Sequence, residues 1–117
     1  MAVRTIIFRG KRIDNGEWVE GSYCHAEKLD RSGDEHFIIE YSANGSSHRV
    51  DPDTVSQYTG LKDKNGKRIF ENGYMIIDKQ TYKVLFDNGE YILKNIFNCD
   101  IIQLKNNSNI GVFADEI

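Results

Sequence analysis

Proline occurs once, cysteine twice, and long apolar runs not at all in these 117 residues. Each scarcity excludes something. Cys24 and Cys99 stand far apart with no motif spacing. That rules out the disulfide framework of a small secreted domain and predicts two free, partly buried thiols in a reducing compartment. The longest apolar runs are Ile6 to Phe8, Met75 to Ile77 and Ile101-Ile102. They fall far short of the roughly 20 residues a membrane-spanning helix needs, so no membrane partner is expected and the protein is read as soluble and intracellular. The first ten residues carry Arg4 and Arg9 without the continuous apolar core of a signal peptide. No stretch of a dozen residues keeps a 3.6-residue apolar period, which excludes a long amphipathic helix. Lys and Arg number 15 against 18 Asp and Glu, a net charge of −3, so there is no global basic field for nucleic acid.

What the sequence does contain is β signal. Thr5-Ile6-Ile7-Phe8 is β-branched and aromatic, and Asp14-Asn15-Gly16 follows it as a hairpin turn into alternating Trp18 to Tyr23. Further turns are read at Asp30 to Asp34, Asn44-Gly45 and Asp87-Asn88-Gly89-Glu90. Strands are read at 36–41, 48–50, 55–59, 74–78, 82–86, 91–93, 101–104 and 110–113. Pro52 interrupts the sheet and starts a helical turn. Phe37, Ile39, Ile76, Val84, Phe86, Ile92 and Ile102 are expected in the core. The pattern predicts one all-β domain over 1–117 with little helix: a small SH3-like or partly open barrel over 51–117, with an N-terminal hairpin layer over 1–50.

The residues offer four kinds of candidate site. Lys62, Lys64, Lys67 and Arg68 surround a single acid, Asp63, a local charge of +3 in an acidic chain, with Tyr58 before it and Phe70 after. Phosphate contacts beside aromatic rings are how small β folds hold single-stranded nucleic acid. A solvated turn set by Asn65-Gly66 explains the same residues and is favoured. Cys24, His25, His36, His48 and Cys99 lack the spacing of a structural zinc site, and no metal or other cofactor is expected. Asp51, Asp53, Asp63, Glu71, Asp78 and Asp87 sit by turns, where Asp is ordinary turn chemistry; a hydrolase built on them is the weakest alternative. Trp18 and the six tyrosines suit a protein interface or self-association, while each of them singly suits the core.

The run Val50-Asp51-Pro52-Asp53-Thr54-Val55-Ser56-Gln57-Tyr58-Thr59-Gly60-Leu61-Lys62-Asp63-Lys64-Asn65-Gly66-Lys67-Arg68-Ile69-Phe70-Glu71 resembles the signature of the YopX family of small bacteriophage and prophage proteins. Ile7-Phe8-Arg9-Gly10-Lys11-Arg12, Asn15-Gly16-Glu17-Trp18-Val19-Glu20-Gly21 and Val84-Leu85-Phe86-Asp87-Asn88-Gly89 extend the likeness. Within it, Tyr58, Thr59, Gly60, Leu61, Asp63, Asn65, Gly66, Ile69 and Glu71 carry the motif. The family pattern continues Glu-Gly-Asp-Ile, whereas this chain has Glu71-Asn72-Gly73-Tyr74, which removes a carboxylate. The resemblance implies an all-β barrel, a phage or prophage origin and the cytoplasm of a bacterial host, and no particular reaction. The expected role is therefore a non-enzymatic accessory protein that binds a host or phage macromolecule.

Overall fold

The computed structural model describes residues 6–27, 34–41 and 45–116. It is all-β, as expected, and two short 3-10 turns, Pro52–Thr54 and Ser108–Ile110, are the helical elements among those residues. The chain divides into two compact units, Met1–Gln57 and Tyr58–Ile117.

The first unit is an antiparallel meander. Strands β1 (Phe8–Lys11), β2 (Trp18–Glu27), β3 (Asp34–Glu40) and β4 (Ser47–Arg49), with the first residues of β5 (Ser56–Lys62), are hydrogen-bonded in the order β4-β3-β2-β1-β5. Register decides which residues meet. Phe8 lies opposite Gly21, Gly10 opposite Val19 and Tyr23 opposite Ile38, so these side chains share one face. On that face Val19, Ile38 and Val50 are buried, with Phe8, Tyr23 and Val55 packed against them. Gly21 is required by close approach, since a Cβ there would stand 1.9 Å from the carbonyl oxygen of Ile39. A single bridge, Arg12 to Val50, links the end of β1 to the residue after β4, and the ladder goes no further. The Pro52 turn forms where the sequence put it: Asp51 accepts the Asp53 N–H at 3.0 Å, and proline occupies the first turn, where no N–H is needed.

The second unit carries the rest of β5 paired with β6 (Arg68–Phe70). It also holds a five-stranded antiparallel sheet of β7 (Tyr74–Ile77), β8 (Gln80–Asp87), β9 (Glu90–Asn95), β10 (Ile101–Gln103) and β11 (Val112–Ala114), in the order β10-β9-β8-β7-β11. Its buried residues include Ile69, Phe70, Met75, Ile77, Val84, Leu93, Leu104 and Phe113. Asn88 and Gly89 both have positive φ, the two-residue turn expected there.

Several expectations are corrected. The described strands form open antiparallel sheets and do not close into a barrel, since the terminal strands of each sheet, β10 and β11 among them, have a strand neighbour on one side alone. Of the expected core, Val84 and Ile92 are buried, Phe37, Ile39 and Ile102 are half-buried, and Ile76 and Phe86 are exposed. The phase of β3 and β7 is displaced by one residue, so Ile38, Met75 and Ile77 turn inward instead, and Phe86 lies exposed at the next-to-last pair of its hairpin. Cys24 and Cys99 are free, as expected, but exposed. The Asn15-Gly16 hairpin has positive φ at Gly16 alone, and Gly16 N–H donates to the Arg12 carbonyl in a longer loop. The final strand is 112–114, the expected 110–113 run being preceded by a 3-10 turn. The Asp30 turn and Asn44 lie outside the described residues.

Candidate functional site

The family-like segment owes its shape to one carboxylate. Asp63 is only 5% exposed. Its Oδ1 accepts the N–H groups of Asn65 and Lys67, both at 2.9 Å, and its Oδ2 accepts the Phe113 N–H of β11 at 2.8 Å. Burial alone would push this carboxyl up. The N–H donations from Phe113, Lys67 and Asn65, with the charge of Lys67, outweigh it and hold the group below its ordinary value. Lys64 N–H adds a bond to the Gly111 carbonyl at 3.1 Å. The 62–68 loop is thus fastened to β11 from within.

The other motif residues are architectural in the same way. Thr59 Oγ1 donates to the Ile69 carbonyl at 2.8 Å and accepts the Leu61 N–H at 3.3 Å. Gly60 and Gly66 have φ of +88° and +80°, which a side chain would strain. Ile69 is fully buried, and Leu61 and Glu71 are half-buried. Tyr58 and Phe70, paired across the strands with ring centroids 5.7 Å apart, are both buried. Their faces are not presented for base stacking.

The four cations do come together. Lys62 and Arg68 are cross-strand partners and Lys64 and Lys67 occupy the tip, all exposed. Arg68 Cζ lies 5.7 Å from the Tyr58 ring centroid and Lys67 Nζ 5.4 Å from that of Phe113. With Asp63 turned inward, the outer surface of this tip is cationic.

Metal-type residues do not converge: His25 stacks on His36 at 4.8 Å, Tyr23 Oη meets His36 Nδ1 at 2.5 Å, and His48 Nε2 stands 3.5 Å from Glu40. Among the described residues no group of three or more metal-ligating side chains forms. A shallow cleft of about 240 Å³ is lined by Arg12, Ile13, Asp14, Ser47, His48 and Arg49. Its arginines already face acids, Arg12 with Asp14 at 2.6 Å and Arg49 with Glu35 at 3.7 Å. The turn carboxylates have structural places: Asp51 caps the Pro52 turn, Asp78 is a residue of the β7–β8 turn, Asp87 pairs with Glu90 at the end of the β8–β9 hairpin, and Asp63 is buried.

Sequence reasoning missed the β9–β10 loop. Buried Asn95 accepts the Phe97 and Asn98 N–H groups at 2.9 and 3.2 Å and donates to Gln80 Oε1 at 2.8 Å. The loop so fixed holds Phe97 86% exposed, with exposed Ile96 beside it and exposed Ile101 on β10. The available signal was the pair Asn95 and Asn98 around an apolar couple, a pattern that caps a turn rather than continuing a strand.

Among the described residues no helix is long and apolar enough to cross a membrane. No curated protein gives a significant match. The model of the YopX protein family matches residues 7–113, nearly the whole chain and both units just described, and the chain belongs to that family.

Proposed function

We propose that this chain is a non-enzymatic accessory protein, phage- or prophage-borne and acting in the cytoplasm of a bacterial host, that works by binding a protein partner. The observation carrying the reading is Phe97. A large aromatic ring held 86% exposed on a loop locked by a buried asparagine is the form of an interface anchor: rigid, apolar and already ordered before binding. The motif residues support it from the other side, because Thr59, Gly60, Asp63, Gly66 and Ile69 are occupied in building the fold. Single-stranded nucleic acid is the less favoured partner, since the rings of Tyr58 and Phe70 are buried.

The test is quantitative co-purification from host cells with the tagged chain and its Phe97→Asp variant. A partner recovered with the parent chain and lost by about tenfold or more with Phe97→Asp is expected. Identical recoveries from the two, or none from either, overturn the reading. An Asn95→Ala variant, which frees the loop while keeping the ring, is expected to fall between them.

A further inference from the structure

The five-stranded sheet of the second unit has two edges, and they are finished differently. At β11 the outward groups are taken: Phe113 N–H donates to Asp63 Oδ2 at 2.8 Å, and the Gly111 carbonyl just before the strand accepts the Lys64 N–H at 3.1 Å. At β10 the bonds to β9 run from Leu104 N–H to the Tyr91 carbonyl and from Asn95 N–H to the Asp100 carbonyl. Alternation along an antiparallel ladder therefore directs the backbone groups of Ile101 and Gln103 away from β9. Asn107 Nδ2 covers one of them, the Gln103 carbonyl, at 2.7 Å. The N–H and C=O of Ile101 and the N–H of Gln103 have no partner among the described residues.

The side chains beside this edge set what can pair with it. Ile101 is 58% exposed, and the loop leading into β10 holds Phe97 and Ile96 in the open. Register puts Tyr74, Lys83, Lys94 and Ile101 in one cross-strand row, on the face opposite the buried Met75, Val84 and Leu93. Lys83 and Lys94 stand directly opposite each other, and neither has an ion pair among the described residues. The acids of that face, Asp87 and Glu90, lie opposite each other four residues further along, roughly 13 Å away. A residue paired with Ile101 would extend the row, two strand spacings or about 10 Å from Lys94, a gap that a lysine and a glutamate side chain span together.

We propose that β10 is completed by an extended segment of the protein partner, which adds as a further strand and carries an acidic side chain opposite Ile101. This rests on the reading of Phe97 as an interface anchor and specifies what the anchored partner presents. Pairing at Ile101 and Gln103 supplies the strand-to-strand bonds, with Phe97 and Ile96 holding the apolar side chains beside them. Charge complementarity selects the acid, because Lys94, with Lys83 behind it, gives the row two positive charges and no negative one. A second copy of β10 would bring Ile101, Gln103 and its own Lys94 to the edge, so it does not supply that charge.

Amide hydrogen exchange of the full chain tests this, with two end-blocked synthetic peptides as probes: one alternating valine with glutamate, the other valine with lysine. The glutamate peptide is expected to slow exchange at Ile101 and Gln103 by about tenfold or more, and to bind tighter than the lysine peptide by a similar factor at about 50 mM salt. Lys83→Glu/Lys94→Glu should reverse the preference, and Lys94→Glu alone replaces it if circular dichroism shows the double variant unfolded. No slowing at the two amides, or equal affinity for the two peptides, overturns the proposal. So does slowing that appears without peptide as protein concentration rises, which would give the edge to a second copy. Co-purification separates this from the reading beneath it. A host protein lost with both Phe97→Asp and Lys83→Glu/Lys94→Glu is expected. One lost with Phe97→Asp but recovered in full with Lys83→Glu/Lys94→Glu would leave Phe97 as the anchor and overturn the strand addition.

Discussion

Asp63 Oδ2 accepts the backbone N–H of Phe113 at 2.8 Å, fastening the tip of one hairpin to a strand 50 residues further on. Three buried or half-buried N–H groups depend on this carboxylate, and an N–H left without an acceptor carries its whole desolvation penalty. Asp63→Ala should therefore destabilise the protein by about 3 kcal/mol or more, read from urea denaturation. Asp63→Asn should cost less, about 2 kcal/mol, because Oδ1 keeps its two bonds while the new amide points donors at Phe113 N–H. Losses under about 0.5 kcal/mol in both would mean that the loop holds itself.

The same carboxylate sets an acid limit. Its folded value lies below the ordinary 3.8, so on acidification the unfolded chain takes up this proton first. The stabilisation is complete above the ordinary value and is lost as pH falls through the folded one. The gap in melting temperature between the parent and Asp63→Asn should be constant from about pH 7 to about pH 5 and narrow below about pH 4. A gap that widened on acidification would contradict the assignment.

Asn72 and Gly73 stand where the sequence resemblance implies a Gly-Asp pair. Asn72 has φ +68°, a conformation that Gly and Asn enter most readily. Gly73 is needed for a different reason: a Cβ there would lie 2.3 Å from Cε1 and Cζ of the Phe113 ring. Asn72→Gly should leave the melting temperature nearly unchanged, and Asn72→Ala should cost about 1 kcal/mol. Gly73→Ala should cost about 2–3 kcal/mol through overpacking. Restoring the family pair with Asn72→Gly/Gly73→Asp should destabilise as well. A tolerated Gly73→Asp would show that Phe113 yields.

These residues show how far the sequence could be read. The Asn88-Gly89 hairpin is legible because both residues favour the left-handed φ values they adopt. Asp78-Lys79 makes the same two-residue reversal at φ of 52° and 68°, but Lys does not advertise it. Phe37-Ile38-Ile39 is apolar without alternation, so its phase is undetermined until Tyr23 lies opposite Ile38 and fixes which residue faces inward. Asp63 before Asn65-Gly66 reads as a turn residue, which it is; its reach to Phe113 depends on a strand far along the chain. The basic cluster was visible as composition, whereas the burial of Tyr58 and Phe70 and the exposure of Phe97 are outcomes of packing that no local pattern carries.

Arg9 gives the last prediction. Register places it opposite Glu20 of β2 and Ser56 of β5, on the face away from Val19 and Ile38. It is 5% exposed, its guanidinium carbon stands 4.0 Å from the Trp18 ring centroid, and its Nε donates to Ser56 Oγ at 3.3 Å. A planar guanidinium can stack and donate at once, and an ammonium cannot. Arg9→Lys should thus cost about 1–2 kcal/mol despite keeping the charge. Crossing it with Trp18→Leu isolates the stack, with an expected coupling of about 0.5–2 kcal/mol. Strict additivity would mean that the ring and the guanidinium are merely neighbours and that Arg9 is held by its strand partners alone.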